Sequence, residues 1–275
     1  MHDQYAVFGN PIEHSRSPMI HREFARETEA VINYQRQLVA IGNFAESATS
    51  FFASGGLGLN ITLPFKMDAY EYADKVTDRA VSAGAVNILK RCDDGSILGD
   101  NSDGFGLVTD IRDNLSWPIR AQRILVMGAG GAVRGVLESL LAEQPQHLVI
   151  VNRTLGKALA LAKLFADRGY TLGCDYSMLD GQQFDLVING TSASLNGGEL
   201  YLPDTLLANS QTCCYDMMYA AQATEFMSWA AAFGARVSDG AGMLVEQAAE
   251  SFFVWRGIRP STNQPLKLLR DALAG

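Results

Sequence analysis

Several short stretches of this 275-residue chain carry side chains whose type and spacing suit chemistry. Gly128-Ala129-Gly130-Gly131-Ala132 follows an apolar run and opens a helical pattern. Glycines there permit a tight turn and a close backbone approach to a pyrophosphate at a helix N-terminus. Val133 replaces the third glycine or alanine of the usual G-x-G-x-x-G/A fingerprint, so spacing alone leaves a purely structural strand-to-helix turn open. At the end of the next apolar run stand Asn152-Arg153-Thr154, with Lys157 one turn later. Where an NAD site places an acid against the ribose 2'-hydroxyl, this segment offers an amide, two cations and a hydroxyl, which suits a 2'-phosphate. The predicted cofactor is therefore NADP; the alternative is two solvated cations and a threonine helix cap.

A second set of polar residues lies nearer the N-terminus. Ser15 and Ser17 present two hydroxyls just before a helix, a way to hold a polyhydroxylated acid, although Ser17-Pro18 also reads as an N-cap followed by proline. The segment Gly58-Leu59-Asn60-Ile61-Thr62-Leu63-Pro64-Phe65-Lys66 places Asn60, Thr62 and Lys66 at or just beyond the end of a predicted strand. Open α/β sheets take their ligands at that edge. Asn101-Ser102-Asp103-Gly104 is a polar turn ahead of the glycine-rich unit. Taken singly, the lysine is a surface charge and the turn only a turn.

These stretches need a frame. YAVFG, INYQRQLV and GLNITLP read as strands, alternating with helical patterns over PMIHREFARET and FAESATSFFASG, which implies an α/β layer of mostly parallel strands. AVNILKRCDDGSIL reads as a hairpin turning at Asp94-Gly95, adding antiparallel edge strands. From RILVMGAGG onward, short apolar strands alternate with helices in a doubly wound, nucleotide-binding pattern. Two helical patterns close the chain, MLVEQAAESFFVW and LKLLRDALA, and periodicity does not place them.

Composition narrows the class. Apolar residues are 48% and charged residues 19%, enough apolar material for more than one core. The net charge of -8, without a Lys/Arg stripe, argues against a nucleic-acid partner. No basic leader stands before an apolar core, and no run approaches the roughly 20 apolar residues of a membrane span, so no membrane partner is predicted and a cytoplasmic location is expected. The four cysteines lack metal-type spacing and are expected to be reduced thiols, with no metal site.

In order along the chain, SRSP, GLNITLPFK, GAVN, NSDG, GAGGA, NRT, NGTSAS, YDMMY and DGAGMLVEQAA resemble the shikimate dehydrogenase family. The resemblance implies an α/β substrate domain over 1–104 completed by C-terminal helices over 240–275, and a Rossmann-type doubly wound NADP domain over 105–239. It implies reduction of 3-dehydroshikimate by NADPH, with Lys66 and Asp103 handling the proton. Substrate contacts are implied at Ser15, Ser17, Asn60, Thr62, Lys66, Asn87, Asp103, Tyr215 and Gln247. Cofactor contacts are implied at Gly128, Ala129, Gly130, Gly131, Ala132, Asn152, Arg153, Thr154, Lys157, Thr191, Met217 and Gly240. Two departures stand out: Ser102 where the family more often has threonine, and Gly190 in a NATS-type loop, expected to loosen the nicotinamide side. The competing expectations are an NAD-dependent quinate/shikimate enzyme and a non-catalytic NADP-binding sensor. Monomer and homodimer both remain open.

Overall fold

The computed structural model describes residues 2–191 and 202–274. The chain divides into two compact units, Met1–Gly106 with Leu244–Leu273, and Leu107–Met243.

The first unit is built on β1 (Asp3–Gly9), α1 (Ser17–Glu27), β2 (Ile32–Leu38), α2 (Phe44–Ala53), β3 (Gly56–Ile61), α3 (Lys66–Tyr72), β4 (Lys75–Val76), α4 (Asp78–Ala83), β5 (Ile88–Arg91) and β6 (Ile97–Asp100). The helix α5 (Asp103–Thr109) follows. The sheet order is β2-β1-β3-β5-β6-β4. β1 pairs in parallel with β2 and β3, and the β5–β6 hairpin joins antiparallel to β3. The hairpin is not at the sheet edge as expected, because the two-residue β4 pairs in parallel outside β6. A strand that short leaves no periodic signal in the sequence. Phe8, Phe44, Leu59, Phe65 and Leu89 share the core beneath one face.

The second unit carries β7 (Arg123–Met127), α6 (Gly131–Ala142), β8 (His147–Val151), α7 (Leu155–Leu164), β9 (Thr171–Cys174), β10 (Leu186–Asn189), β11 (Cys213–Asp216), α8 (Glu225–Ala232) and β12 (Arg236–Asp239). All six strands are parallel in the order β12-β11-β10-β7-β8-β9. This is the Rossmann order, in which the strand order, not the chain direction, reverses between β7 and β10. The strands are apolar throughout because both faces are covered: Ile124, Val126, Leu186 and Ile188 enter one core, and Leu125, Met127 and Val187 the other.

Two helices end the chain, α9 (Ala241–Arg256) and α10 (Asn263–Ala274). From Leu244 they belong to the first unit, where the Trp255 indole stacks on Tyr5 at 4.8 Å and donates to the Leu89 carbonyl.

Candidate active site

The β3 strand ends at Ile61, and a turn over Thr62–Phe65 carries the chain into α3, whose first residue is Lys66. Buried Phe65, stacked on Phe44 at 5.6 Å, anchors that turn. The Lys66 Nζ donates to the Asp103 carboxylate Oδ2 at 2.5 Å. Asp103 in turn opens α5, and its backbone N–H donates to Asn101 Oδ1 at 3.0 Å. Both side chains keep part of their surface open, 26% and 14%, so the pair is accessible and still largely shielded. Such a pair presents an ammonium, held in place by a carboxylate, to a reacting oxygen.

Around the pair the first unit gathers most of the expected polar residues. Ser15 and Ser17 are joined hydroxyl to hydroxyl at 3.3 Å. Gln247, on α9, lies beside Ser102, whose hydroxyl donates to the Gln247 carbonyl at 3.0 Å. Asn60 is nearly inaccessible, its amide oxygen taken by the Tyr34 hydroxyl at 2.8 Å and its NH2 by Ser251 Oγ at 2.8 Å. Thr62 is half-buried just past the end of β3.

Several residues at this site were not singled out by sequence reasoning. Burial pushes the Tyr34 phenol well above its usual range, opposed by a hydrogen bond with Ser17. Its ring stacks on His21 at 4.2 Å and 10°. His21 is fully buried, and neither ring nitrogen makes a hydrogen bond. Burial drives its pKa down to about 3; the adjacent Asn60 amide opposes this, but its geometry falls short of a bond. His21 stands four residues after Ser17, and Ser251 four after Gln247, so helical spacing from residues already suspected was the available signal.

Behind the site lies an ion network. Arg79 grips both carboxylate oxygens of Asp100 and reaches Glu250 at 2.8 Å, and Arg259 binds the other Glu250 oxygen at 2.5 Å. Burial alone would raise the Asp100 pKa, but Arg79, the Thr77 hydroxyl and the Asn101 N–H together hold it below the usual carboxylate range. The network fixes the end of β6, two residues before Ser102, and the face of α9 that bears Gln247.

In the second unit Gly128, at φ +103°, makes the turn after β7, and Gly130 caps α6. A Cβ at Gly130 or Gly131 would meet nothing within 4 Å, so the turn has open space above its backbone. Ala129 is half-buried and Ala132 exposed on the same turn. Asn152 donates to the Thr154 carbonyl at 3.0 Å. Thr154 occupies the N-cap of α7 without a side-chain capping bond. Arg153 and Lys157 are exposed, and among the described residues neither is ion-paired. This donor set fits a 2'-phosphate. At the end of β10, Thr191 donates to Asn189 Oδ1 at 2.7 Å, while Ser192, Ala193 and Ser194 lie outside the described residues. Gly240 is packed so closely on the Met217 carbonyl that no Cβ fits.

Tyr215 departs from its expected setting. Rather than lining an open pocket, its ring is fully buried in a core of the second unit, and its hydroxyl donates to Asp110 Oδ2 at 2.6 Å. It is the inward-facing third residue of β11, a position the YDMMY pattern does not reveal. Burial first, then Asp110, push its pKa well above the usual tyrosine range. The half-buried aromatic of this segment is Tyr219.

Comparison with known proteins agrees with this geometry. Residues 7–89 match a family model described as the shikimate dehydrogenase substrate binding domain. Residues 111–196 match shikimate / quinate 5-dehydrogenase, and 240–270 the shikimate 5'-dehydrogenase C-terminal domain. The chain is 56% identical over 274 residues, 99% of each chain, to the shikimate dehydrogenase (NADP(+)) of Cellvibrio japonicus (strain Ueda107). Among solved structures, an Ael1 enzyme from Pseudomonas putida superposes with a TM-score of 0.92 at 44% identity, covering 97% of this chain and 98% of that one. The shikimate 5-dehydrogenase of Thermus thermophilus, solved with NADP(H) and shikimate, has a TM-score of 0.87 at 28% identity, covering 98% of this chain and all of the other.

Proposed function

The chain belongs to the shikimate dehydrogenase family, and from that membership we propose that it catalyses the reversible NADPH-dependent reduction of 3-dehydroshikimate to shikimate, a step in the shikimate route to chorismate and the aromatic amino acids. The observation that carries the mechanism is the 2.5 Å contact between Lys66 Nζ and Asp103 Oδ2. Bound NADPH supplies a hydride. Lys66 delivers a proton to the oxygen that becomes the alcohol and withdraws it in the reverse direction, while Asp103 keeps the ammonium oriented. Its positive charge stabilises the developing alkoxide before the proton moves. Ser15 and Ser17 meet the substrate carboxylate, and Asn60, Asn87, Asp103 and Gln247 its ring hydroxyls, with Thr62 beside them. Gly128 to Ala132 and Thr191 flank the pyrophosphate and nicotinamide. Asn152, Arg153, Thr154 and Lys157 hold the 2'-phosphate, and Met217 and Gly240 close the nicotinamide side.

The enzyme works in the cytoplasm, as a monomer or homodimer. Four free thiols fit a reducing compartment, and no helix among the described residues is long and apolar enough to cross a membrane. The test is cofactor oxidation with 3-dehydroshikimate, using NADPH and NADH in parallel, and cofactor reduction with shikimate and quinate. Turnover with the NADPH and shikimate pairs is expected; activity confined to quinate and NAD overturns the reading.

A further inference from the structure

The two ends of the substrate site are unequally supplied with charge. At the proton-transfer end Lys66 and the Asn87 amide both donate to Asp103, at 2.5 and 2.8 Å. At the other end Ser15 and Ser17 offer the substrate carboxylate two hydroxyls, 3.3 Å apart at the start of α1. Hydroxyls donate hydrogen bonds but carry no charge, so on their own they repay little of the hydration that an anion gives up on binding. The net charge of -8 adds a repulsion that the approaching anion must overcome.

Arg36, in β2, stands beside that second end. Its Nε donates to the Ser15 carbonyl at 2.8 Å, across 21 residues of sequence. Its two terminal nitrogens make no bond within the protein, and among the described residues no carboxylate pairs with it. The strand register puts it on the substrate face. Arg36 lies opposite Val7 in β1, and Val7 opposite Asn60 in β3, so the three form one row across the sheet. Tyr34, two residues earlier in β2 and therefore on the same face, donates to Asn60 at 2.8 Å. The loop's other cation, Arg16, makes no side-chain bond among the described residues, so nothing within the protein fixes its place.

We propose that Arg36 gives the site its preference for an anionic substrate: the guanidinium, tethered to the Ser15 carbonyl, holds the Ser15 hydroxyl in place and supplies the positive charge that the two serines lack. This rests on the reduction proposed above, with the carboxylate at Ser15 and Ser17. The tether matters because an arginine already fixed at one nitrogen has less rotamer freedom left to lose when an anion arrives. Its side chain is exposed, so it acts as a neighbouring, partly screened charge whose effect depends on salt.

The experiment compares wild type, Arg36→Met and Arg36→Lys. It reads kcat and KM for shikimate oxidation with saturating NADP, and the constant with which methyl shikimate, whose ester is neutral, competes for the site. Arg36→Met should raise the shikimate KM by about three- to tenfold, the worth of one partly screened charge at close range. The methyl shikimate constant and kcat should each change by less than about twofold, since the lost interaction is with the carboxylate and is made equally in ground and transition states. Arg36→Lys keeps the charge and should recover most of the loss. Raising the ionic strength from about 0.02 to about 0.5 M should weaken shikimate binding in wild type and much less in Arg36→Met. Equal weakening of acid and ester would make Arg36 a purely structural support of the loop and overturn the proposal. So would an unchanged shikimate KM. Should Arg36→Met not fold, Arg36→Gln, neutral and still able to donate to the Ser15 carbonyl, decides through the same ratio of acid to ester. Wild-type enzyme that fails to oxidise NADPH with 3-dehydroshikimate removes the reaction and the proposal with it, whereas equal losses in an active enzyme remove the proposal alone.

Discussion

A Cβ placed on Gly190, at the end of β10, would fall inside the van der Waals envelope of Val133 Cγ2, in the first turn of α6. Two of the three departures from the expected motifs, valine at the third fingerprint position and glycine in the NATS-type loop, are thus halves of one contact. Gly190 makes room for Val133 rather than loosening the turn. Gly190→Ala should strain this stiff β-branched neighbour, costing about 1–3 kcal/mol as overpacking does, and should weaken NADP binding. Val133→Ala/Gly190→Ala should regain most of both. Thermal melts and NADP titrations of the three variants give the coupling, and additive effects would break the link.

Lys66→Ala is expected to lower kcat by about a hundred- to ten-thousandfold, the usual worth of general acid-base catalysis, with a much smaller effect on shikimate binding. Asp103→Asn should lower kcat less, since it disturbs orientation and leaves the ammonium present. Steady-state kinetics in both directions check this, and near-normal turnover without Lys66 would exclude it as the acid.

His21 gives the fold a pH dependence. Its folded pKa is about 3, against roughly 6.5 in an unfolded chain, so the unfolded state binds the extra proton between those values. Stability from this residue is complete above about pH 6.5 and falls as pH drops towards 3, with a limiting slope of about 1.4 kcal/mol per pH unit. Denaturant melts at pH 7, 6 and 5 (about the upper half of that window) should show the decline in wild type and a shallower one in His21→Phe. Parallel declines would mean that His21 is not the group responsible.

Replacing Arg79 by Met strands Asp100 and removes one of the two cations on Glu250. Unpairing a buried charge of this kind typically costs about 3–5 kcal/mol. Asp100 is held ionised in the folded state, so its contribution is present above the unfolded carboxylate pKa of roughly 3.9 and lost as pH falls below it. Melting curves at neutral and acid pH should therefore separate the variant from wild type most at neutral pH.

Tyr215→Phe is expected to act on stability, because its hydroxyl serves Asp110. The melting temperature should fall, with shikimate KM nearly unchanged. A large rise in KM at unchanged stability would return Tyr215 to the substrate pocket.

The nucleotide-binding unit was legible because parallel strands covered on both faces are apolar at every position, and β7, β8 and β10 read that way. β9 and β12 were missed: TLGC and RVSD are four-residue strands at the two edges, with a polar or exposed residue in each. At the site, Lys66 and Asp103 were legible as a pair through motif order, their 37-residue separation offering no local signal. Tyr34 was not legible, since its bond to Asn60 depends on β2 and β3 flanking β1, and sheet order cannot be read from any one strand. Tyr215 shows the converse, a residue whose motif was evident while its inward orientation was not.

The first unit takes its last segment from Leu244–Leu273, whereas the second is one uninterrupted stretch. During synthesis the order of completion therefore runs against the order of translation. Asn60 waits for Ser251, Arg79 for Glu250 and Lys90 for the Val254 carbonyl. At about 5–20 residues per second, the first unit's sheet, with all six strands already made, spends on the order of ten seconds or more with those groups unmatched, while the later-made nucleotide-binding unit needs nothing translated after it.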